Sequence, residues 1–328
     1  MAIAVYAFLC YNESMTKFST QNMVRVTSNI AVLYGSTNVA LIKALDKLFL
    51  IDTAASEEDG KAIFQIAKEV FPQTKLHAII NTHSHADHCG GNAYLVKETK
   101  CEVWASKAEK ASIENPVYEN AVMWGGKEPV ELQHGFFEAE AVDVERVIAD
   151  GEVIFDEGDI NAYAVSLPGH YIEQIGIMVT DRAEGKSVFF VGDALFGRFR
   201  MGKYWIPYTY DIGQFKDSLH KICTVSADYY LPSHGELVED AETLAELNEF
   251  AIIETEQAIL KFLEEKSMTA EEILAKVVDI NGIPMKIGQY ALISCTIRSF
   301  LSYLQECGKI EYFFKNNFML WRKCLVER

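Results

Sequence analysis

The sequence predicts an α/β protein, an αββα sandwich joined to a small, mainly helical module. Three observations predict it. Short β-branched runs alternate with amphipathic helical segments, and that alternation occurs twice, in two strand-rich halves with helices outside them. Beyond about residue 240 the strand signal gives way to three helices and one hairpin. The sandwich is placed at residues 24–240 and the helical module at 241–328.

Met1 to Cys10 is apolar, but no basic residue precedes it and no small-residue cleavage pattern follows, so it reads as a strand or a ragged terminus. Met15 or Met23 is an alternative start. From Val24 to Asp52, the runs VRVTS, IAVLYG, NVALIKA and KLFLID form a meander of strands. Ser56 to Phe71 then carries Ala62, Ile63, Ile66, Ala67 and Val70 at helical spacing, with acidic residues in the first turn where the helix dipole favours them. LHAII is a buried strand with THSHADHCGG at its C-terminal end, the end at which open α/β folds place their chemistry. A helix at about Gly91 to Glu98, the strand CEVWAS and a helix near Lys107 follow, and Asn115 to Val147 reads as an irregular insertion.

The second half repeats this grammar. EVIFD, INAYAVSLP, QIGIMV and SVFFVGD are strands, Gln214 to Ile222 is a helix, and ADYYLPSHG returns as a strand. A long amphipathic helix to about Glu265, then MTAEEILAKVV, then a helix over Ile287 to Cys307 lead into KIEYFFKNNFMLWRK, a hairpin with Asn316-Asn317 at its tip. Helix, helix, helix, hairpin is the order of a winged helix. No internal repeat or low-complexity tract is present.

At 328 residues and 49% hydrophobic content the chain can bury a full core. A formal charge of −17, from 47 acidic and 30 basic side chains, disfavours broad attraction to nucleic acid or an anionic membrane. No run of residues approaches the length of a membrane-spanning helix. Seven cysteines, odd in number and widely spread, suit a reducing cytoplasm better than a disulfide framework.

His83, His85, Asp87 and His88 fall within six residues, on a loop between a buried strand and a helix. Imidazole and carboxylate are ligands that suit zinc, and catalytic zinc sites keep a position open for water. The spacing of His83 and His85 can aim both rings at one ion while Asp87 and His88 turn toward a second. Chance would produce H-x-H-x-D-H in only about two of ten thousand chains of this composition, so the motif is specific.

THSHADHCGG resembles the H-x-H-x-D-H signature of the metallo-β-lactamase superfamily at every ligand position. The remaining family positions then match in order: SLPGHY supplies His170, FFVGDAL supplies Asp193 and YLPSHGE supplies His234. The resemblance covers about Asn29 to Glu236. It implies one metal held by His83, His85 and His170, a second held by Asp87, His88 and His234, and Asp193 bridging them. Asp52 in LFLIDTA matches another acidic position of the family, beside the metals but not on them. His77, His134 and His220 have no place in the pattern, and His134 reads as a surface histidine.

Two divalent ions, zinc first with iron or manganese as alternatives, would bring the pKa of a shared water toward neutrality, and Asp87 would orient that nucleophile and take its proton. The expected chemistry is hydrolysis of an acyl or phosphoryl bond. Asp193 stands where common zinc β-lactamases place a cysteine on the second metal, and His85 stands where flavodiiron proteins carry Glu. The site is more similar to glyoxalase II and to the ribonuclease and phosphodiesterase branches. HADH also resembles the iron-dependent persulfide dioxygenases, which use mainly one metal.

Tyr204, Trp205, Tyr208 and Tyr210 are expected to form an aromatic wall for a partly apolar substrate, with Trp124 and Pro129 of the insertion on the opposite lip. The leading expectation is a hydrolase of small-molecule esters, thioesters or related bonds. Alternatives are a ribonuclease or phosphodiesterase, and a ligand-sensing or signalling protein on the same fold. From Ser267 to Arg328 there are eight basic and six acidic residues, too small an excess to favour nucleic-acid binding. A packing or homodimerising role for the module is favoured instead.

Overall fold

The computed structural model describes residues 17–135, 137–203 and 207–324. The expectations on Met1 to Cys10 and Met15, and on Tyr204 and Trp205, lie outside these described residues.

Strands β1 (Met23–Arg25), β2 (Ile30–Leu33), β3 (Val39–Ala44) and β4 (Lys47–Ile51) form an antiparallel meander. β5 (Lys75–Ile80), β6 (Glu102–Ala105) and β7 (Arg146–Val147) add to it in parallel, giving a seven-stranded sheet in sequence order. Parallel pairing needs crossovers. α1 (Glu57–Val70) supplies the first, started by Ser56, whose hydroxyl accepts the Asp59 N–H at 3.1 Å. α2 (Ala86–Cys89) and α3 (Asn92–Thr99) supply the second, and α4 (Lys107–Glu114) follows β6.

The second sheet runs β12-β11-β10-β9-β8, with β8 (Val153–Glu157), β9 (Ile160–Ser166), β10 (Ile175–Asp181) and β11 (Lys186–Gly192) antiparallel. β12 (Tyr229–Pro232) joins parallel to β11 after the crossover helix α7 (Ile212–Thr224), which is preceded by the short α6 (Arg198–Lys203). α8 (Glu242–Glu265), α9 (Ala270–Ile280), α10 (Ile287–Glu306) and the hairpin β13 (Ile310–Lys315) and β14 (Phe318–Lys323) complete the chain. Asn316 and Asn317 turn that hairpin with φ of 52° and 65°, the left-handed pair that a two-residue hairpin turn demands.

Both faces of each sheet are covered. In β2, Ile30 and Val32 point between the sheets, packing with Phe155, Ile177 and Phe190, while Ala31 and Leu33 point outward to the layer of Ile63, Ile66 and Leu95. All four residues of β2 are therefore buried, and the strand reads as a continuous apolar run. On the outer face of the second sheet, Phe189 and Val191 share one apolar cluster with Phe215 of α7, Ile259 of α8, Val277 of α9, Phe300 of α10 and Trp321 of β14. The segment after residue 240 thus packs as the outer layer of that sheet.

A short helix occupies part of what the sequence pattern leaves irregular. Within Asn115 to Val147, Val117–Trp124 is a helix, α5, started at Pro116 and stopped at Gly125 with φ of 78°. Eight residues are marginal as an isolated helix, and α5 is held by packing against α10.

Candidate metal centre

The loop that follows β5 is fixed from below. Asn92 donates to the Asn81 side chain at 2.7 Å, Asn81 donates to the His88 carbonyl at 3.2 Å, and Thr53 donates to Asn92 at 2.7 Å. Gly90 passes so close to the preceding crossover that a Cβ there would lie 2.3 Å from the Ala55 backbone, so only glycine lets α2 settle where its side chains meet the other ligands.

Four strand-end segments meet at this point. His83, His85, Asp87 and His88 come from the loop after β5, His170 from the turn after β9, Asp193 from the end of β11 and His234 from the end of β12. Their ligand atoms form three overlapping groups, His83 with His85 and His170, His83 with His88 and Asp193, and Asp87 with His88 and His234, each within 4.8 Å. In the first group, His83 Nε2 and His170 Nε2 both stand 3.0 Å from His85 Nδ1. In the last, His234 Nε2 lies 3.2 Å and His88 Nε2 3.9 Å from Asp87 Oδ2. Asp193 faces both: Oδ2 is 3.6 Å from His170 Nε2 and 3.3 Å from His234 Nε2, and Oδ1 is 3.6 Å from His88 Nε2.

The ring nitrogens turned away from the centre have partners that set orientation and tautomer. His88 Nδ1 donates to Asp52 at 2.8 Å, His170 Nδ1 to the Tyr208 carbonyl at 2.8 Å and His234 Nδ1 to the Ser36 carbonyl at 2.7 Å. In each neutral ring the proton then sits on Nδ1 and the Nε2 lone pair faces inward. Asp52 itself, at φ of 59° just past β4, accepts from the Thr82 N–H and hydroxyl, both at 2.8 Å. Thr82 Oγ1 in turn lies 3.1 Å from His83 Nδ1.

The donor set fits divalent metal. His88 Nε2 and Asp193 Oδ1 are buried without a hydrogen-bond partner, an arrangement that costs stability unless a ligand satisfies them. Burial, and then repulsion among neighbouring rings, pushes His83 and His85 well below the ordinary imidazole range, and burial lowers His170 to about 4. Those three are neutral lone-pair donors at physiological pH. Burial also works against charge on His88 and His234, but Asp193 foremost outweighs it, raising His88 well above its ordinary value and His234 to about 9. Burial would raise Asp87 too, yet His88 and His234 hold it well below the usual carboxylate range.

The family description that matches residues 33–248 is the Metallo-beta-lactamase superfamily. The chain belongs to that superfamily. Superfamily relatives include the lactamase-like protein nscB of Trichophyton equinum, 23% identical over 206 residues, which cover 62% of this chain and 49% of that protein. The chain thus spans about half the length of the curated relatives it matches. A shorter stretch of 91 residues, 27% of the chain and 14% of the relative, is 30% identical to a linear primary-alkylsulfatase of a Pseudomonas species. Among solved structures, a beta-lactamase domain protein from Burkholderia ambifaria superposes with a TM-score of 0.71 at 16% identity, over 92% of this chain and 93% of that one. The metallo-beta-lactamase family protein TTHA1429 from Thermus thermophilus gives 0.67 at 19% identity, over 89% and 94%.

On this superfamily fold, the flank of the centre is aromatic. Tyr171 lies 4.5 Å and Tyr208 5.1 Å from the His85 ring, centroid to centroid, and the 40%-exposed Tyr210 stands 6.5 Å from Tyr171. Tyr208 is buried, so it supports the wall and Tyr210 presents it. Trp124 packs on this cluster and meets Tyr290 of α10 at 6.1 Å, so its ring is tied to the helical segment, and Pro129 precedes a 3-10 turn over Val130–Leu132. His77 lies between Phe49 and Trp104, His134 meets Phe137 edge-on and His220 pairs with Glu249 at 3.4 Å. Tyr171, Glu109 and Glu119, which belong to no motif of the sequence, are buried around the first histidine group. Tyr171 adjoins His170 in sequence and could have been found by that adjacency. The two glutamates carry no local signal.

Proposed function

We propose that this chain is a hydrolase that uses two divalent ions, zinc first, to cleave an ester, thioester or related bond in a small-molecule substrate. The observation that carries this reading is Asp193, whose two oxygens face the first and the second ligand group at once, beside buried donor atoms that have no other partner. His83, His85 and His170 would hold one ion, Asp87, His88 and His234 the other, with Asp193 shared. Bound there, the ions would bring a water's pKa toward neutrality and polarise the bond under attack.

The protein's own groups do the rest. Asp87 is the ligand with the most exposed carboxylate, its side chain 26% accessible, so it stands on the open side where it can orient the attacking water and take its proton. Tyr210, edge-on to the buried Tyr171, offers an aromatic flank that suits a partly apolar acyl or alkyl group. α10 closes the back of that flank: Thr209 N–H donates to Thr296 at 3.1 Å and Ser299 donates to the Tyr210 carbonyl at 2.6 Å. The short likeness to an alkylsulfatase extends the ester class to sulfate esters.

This packing also argues against nucleic acid as substrate. The helix that would enter a groove in a winged-helix reading, α10, buries Ala291, Ile293, Ile297, Phe300, Leu301 and Leu304 against the rest of the protein. We place the protein in a reducing compartment, on six unpaired cysteines among the described residues. No helix of the described residues is long and apolar enough to cross a membrane.

The test is elemental analysis of protein purified without added metal, followed by a panel of carboxylic esters, thioesters, lactones, sulfate esters and phosphodiesters. More than one equivalent of Zn, Fe or Mn is expected, with hydrolysis lost on chelation. Full activity in a metal-free preparation would refute the reading, and tight, salt-sensitive RNA binding would move it to the nuclease alternative.

A further inference from the structure

We propose that Glu109 and Glu119, on the two helices α4 and α5, are positioning residues for the ion held by His83, His85 and His170, and for that ion alone. This rests on the proposed metal site, and it assigns to these helices a role that the ligand pattern does not contain.

His85 differs from the other four rings. It turns Nδ1 to the centre, so in the neutral ring its proton must sit on Nε2, and Nε2 is buried without a hydrogen-bond partner. The polar atom that faces it is Glu119 Oε1, at 3.8 Å. That is within about 1 Å of hydrogen-bonding distance, a gap that a small side-chain rotation closes. Glu119 is itself buried, and the backbone of Ala86, the residue after His85, favours its ionised form. A carboxylate behind a ligating imidazole fixes its tautomer and ring plane and raises its basicity. His88 has such a partner in Asp52, and Glu119 is placed to serve His85.

Glu109 fixes the spacing of the same group. One of its oxygens accepts both the N–H and the hydroxyl of Ser84, between His83 and His85, at 2.9 and 2.7 Å. Its other oxygen accepts the Glu173 N–H at 2.9 Å, and the Glu173 carboxylate accepts the Ala108 N–H at 2.6 Å, in the first turn of α4. A fully buried carboxylate therefore ties the loop that carries His83 and His85 to the loop that carries His170. The second ligand group hangs from supports that lie on neither α4 nor α5, the Asp52 carboxylate and the Ser36 carbonyl. Damage behind α4 and α5 should consequently reach one ion and spare the other.

The experiment is zinc titration against a chromophoric chelator for the intact protein and for Glu119→Met and Glu119→Gln, with the melting temperature of each metal-free protein in parallel. Met fills a similar volume with no acceptor, whereas Gln keeps a carbonyl oxygen that can accept the His85 proton. Met should weaken one of the two zinc ions about 10- to 100-fold and leave the other within about 3-fold, and Gln should recover most of the loss. Cobalt(II) spectra of the same proteins should change for one ion only. Two ions lost together, two unchanged affinities in the Met variant, or a Gln variant as weak as Met would each overturn the proposal. An unaltered protein that binds no zinc would refute the metal site itself, which is a different failure.

Discussion

Asp52 joins none of the three ligand groups, yet it supports two of the loop's histidines, His88 directly and His83 through the Thr82 hydroxyl. Asp52→Ala should free the His88 ring and leave the Thr82 N–H buried without its acceptor. The expected result is weaker binding of both ions, by about 10- to 100-fold for the ion assigned to Asp87, His88 and His234 and by less for the one that His83 helps to hold, read by chelator competition. Unchanged zinc binding would show that the loop backbone alone orients His88. At this scale the cluster of seven donor side chains was legible because four of its members crowd into one short motif and the other three follow at strand ends. Asp52 was legible for the same reason. Glu109 and Glu119 were not, because a buried glutamate on a short helix has the same sequence appearance as an exposed one, and only the tertiary packing of α4 and α5 tells them apart.

Elements with strong periodicity were read within a residue or two: α1 from its apolar spacing and acidic first turn, and the β13–β14 hairpin from its Asn-Asn tip. α5 is not legible because eight residues are too short to display a helical period, and its stability comes from neighbours rather than from propensity. One glycine at this scale is decisive for the centre. Gly169, beside His170, has φ of 123°, and a Cβ on it would lie 2.2 Å from the Phe215 nitrogen in the first turn of α7. Gly169→Ala must therefore either displace α7 or turn the His170 loop, at a cost of roughly 2–4 kcal/mol. A fall in the urea midpoint together with weaker zinc binding is expected. A variant with the parent's midpoint would mean that the contact relaxes freely.

At the scale of the whole molecule, the fold class was legible from two strand-rich halves, but the relation of the C-terminal helices to the sandwich was not. Their apolar faces are visible in sequence, while the surface they cover is not, and that surface is the outer face of the second sheet together with the back of the aromatic flank. Removing residues 267–328 would strip Val277, Ile297, Phe300 and Trp321 from that cluster and expose its remaining members to water. Aggregation or a new oligomeric state is expected by light scattering, with a loosened substrate preference in whatever stays soluble, since Thr296 and Ser299 no longer hold the chain at Tyr208 to Tyr210. A truncated protein that stays monomeric with the parent's substrate profile would contradict this.

The division of ligands between the two halves also has a bearing on biosynthesis. The loop at His83 to His88 leaves the ribosome well before His170, Asp193 and His234 exist, so a nascent first half offers an incomplete donor set. Small zinc modules fold around their ion, whereas here the second sheet must dock before both ligand groups are whole. Metal acquisition at the proposed site would thus be a late event in the life of each molecule, and the ions would act as a seal on a finished tertiary structure.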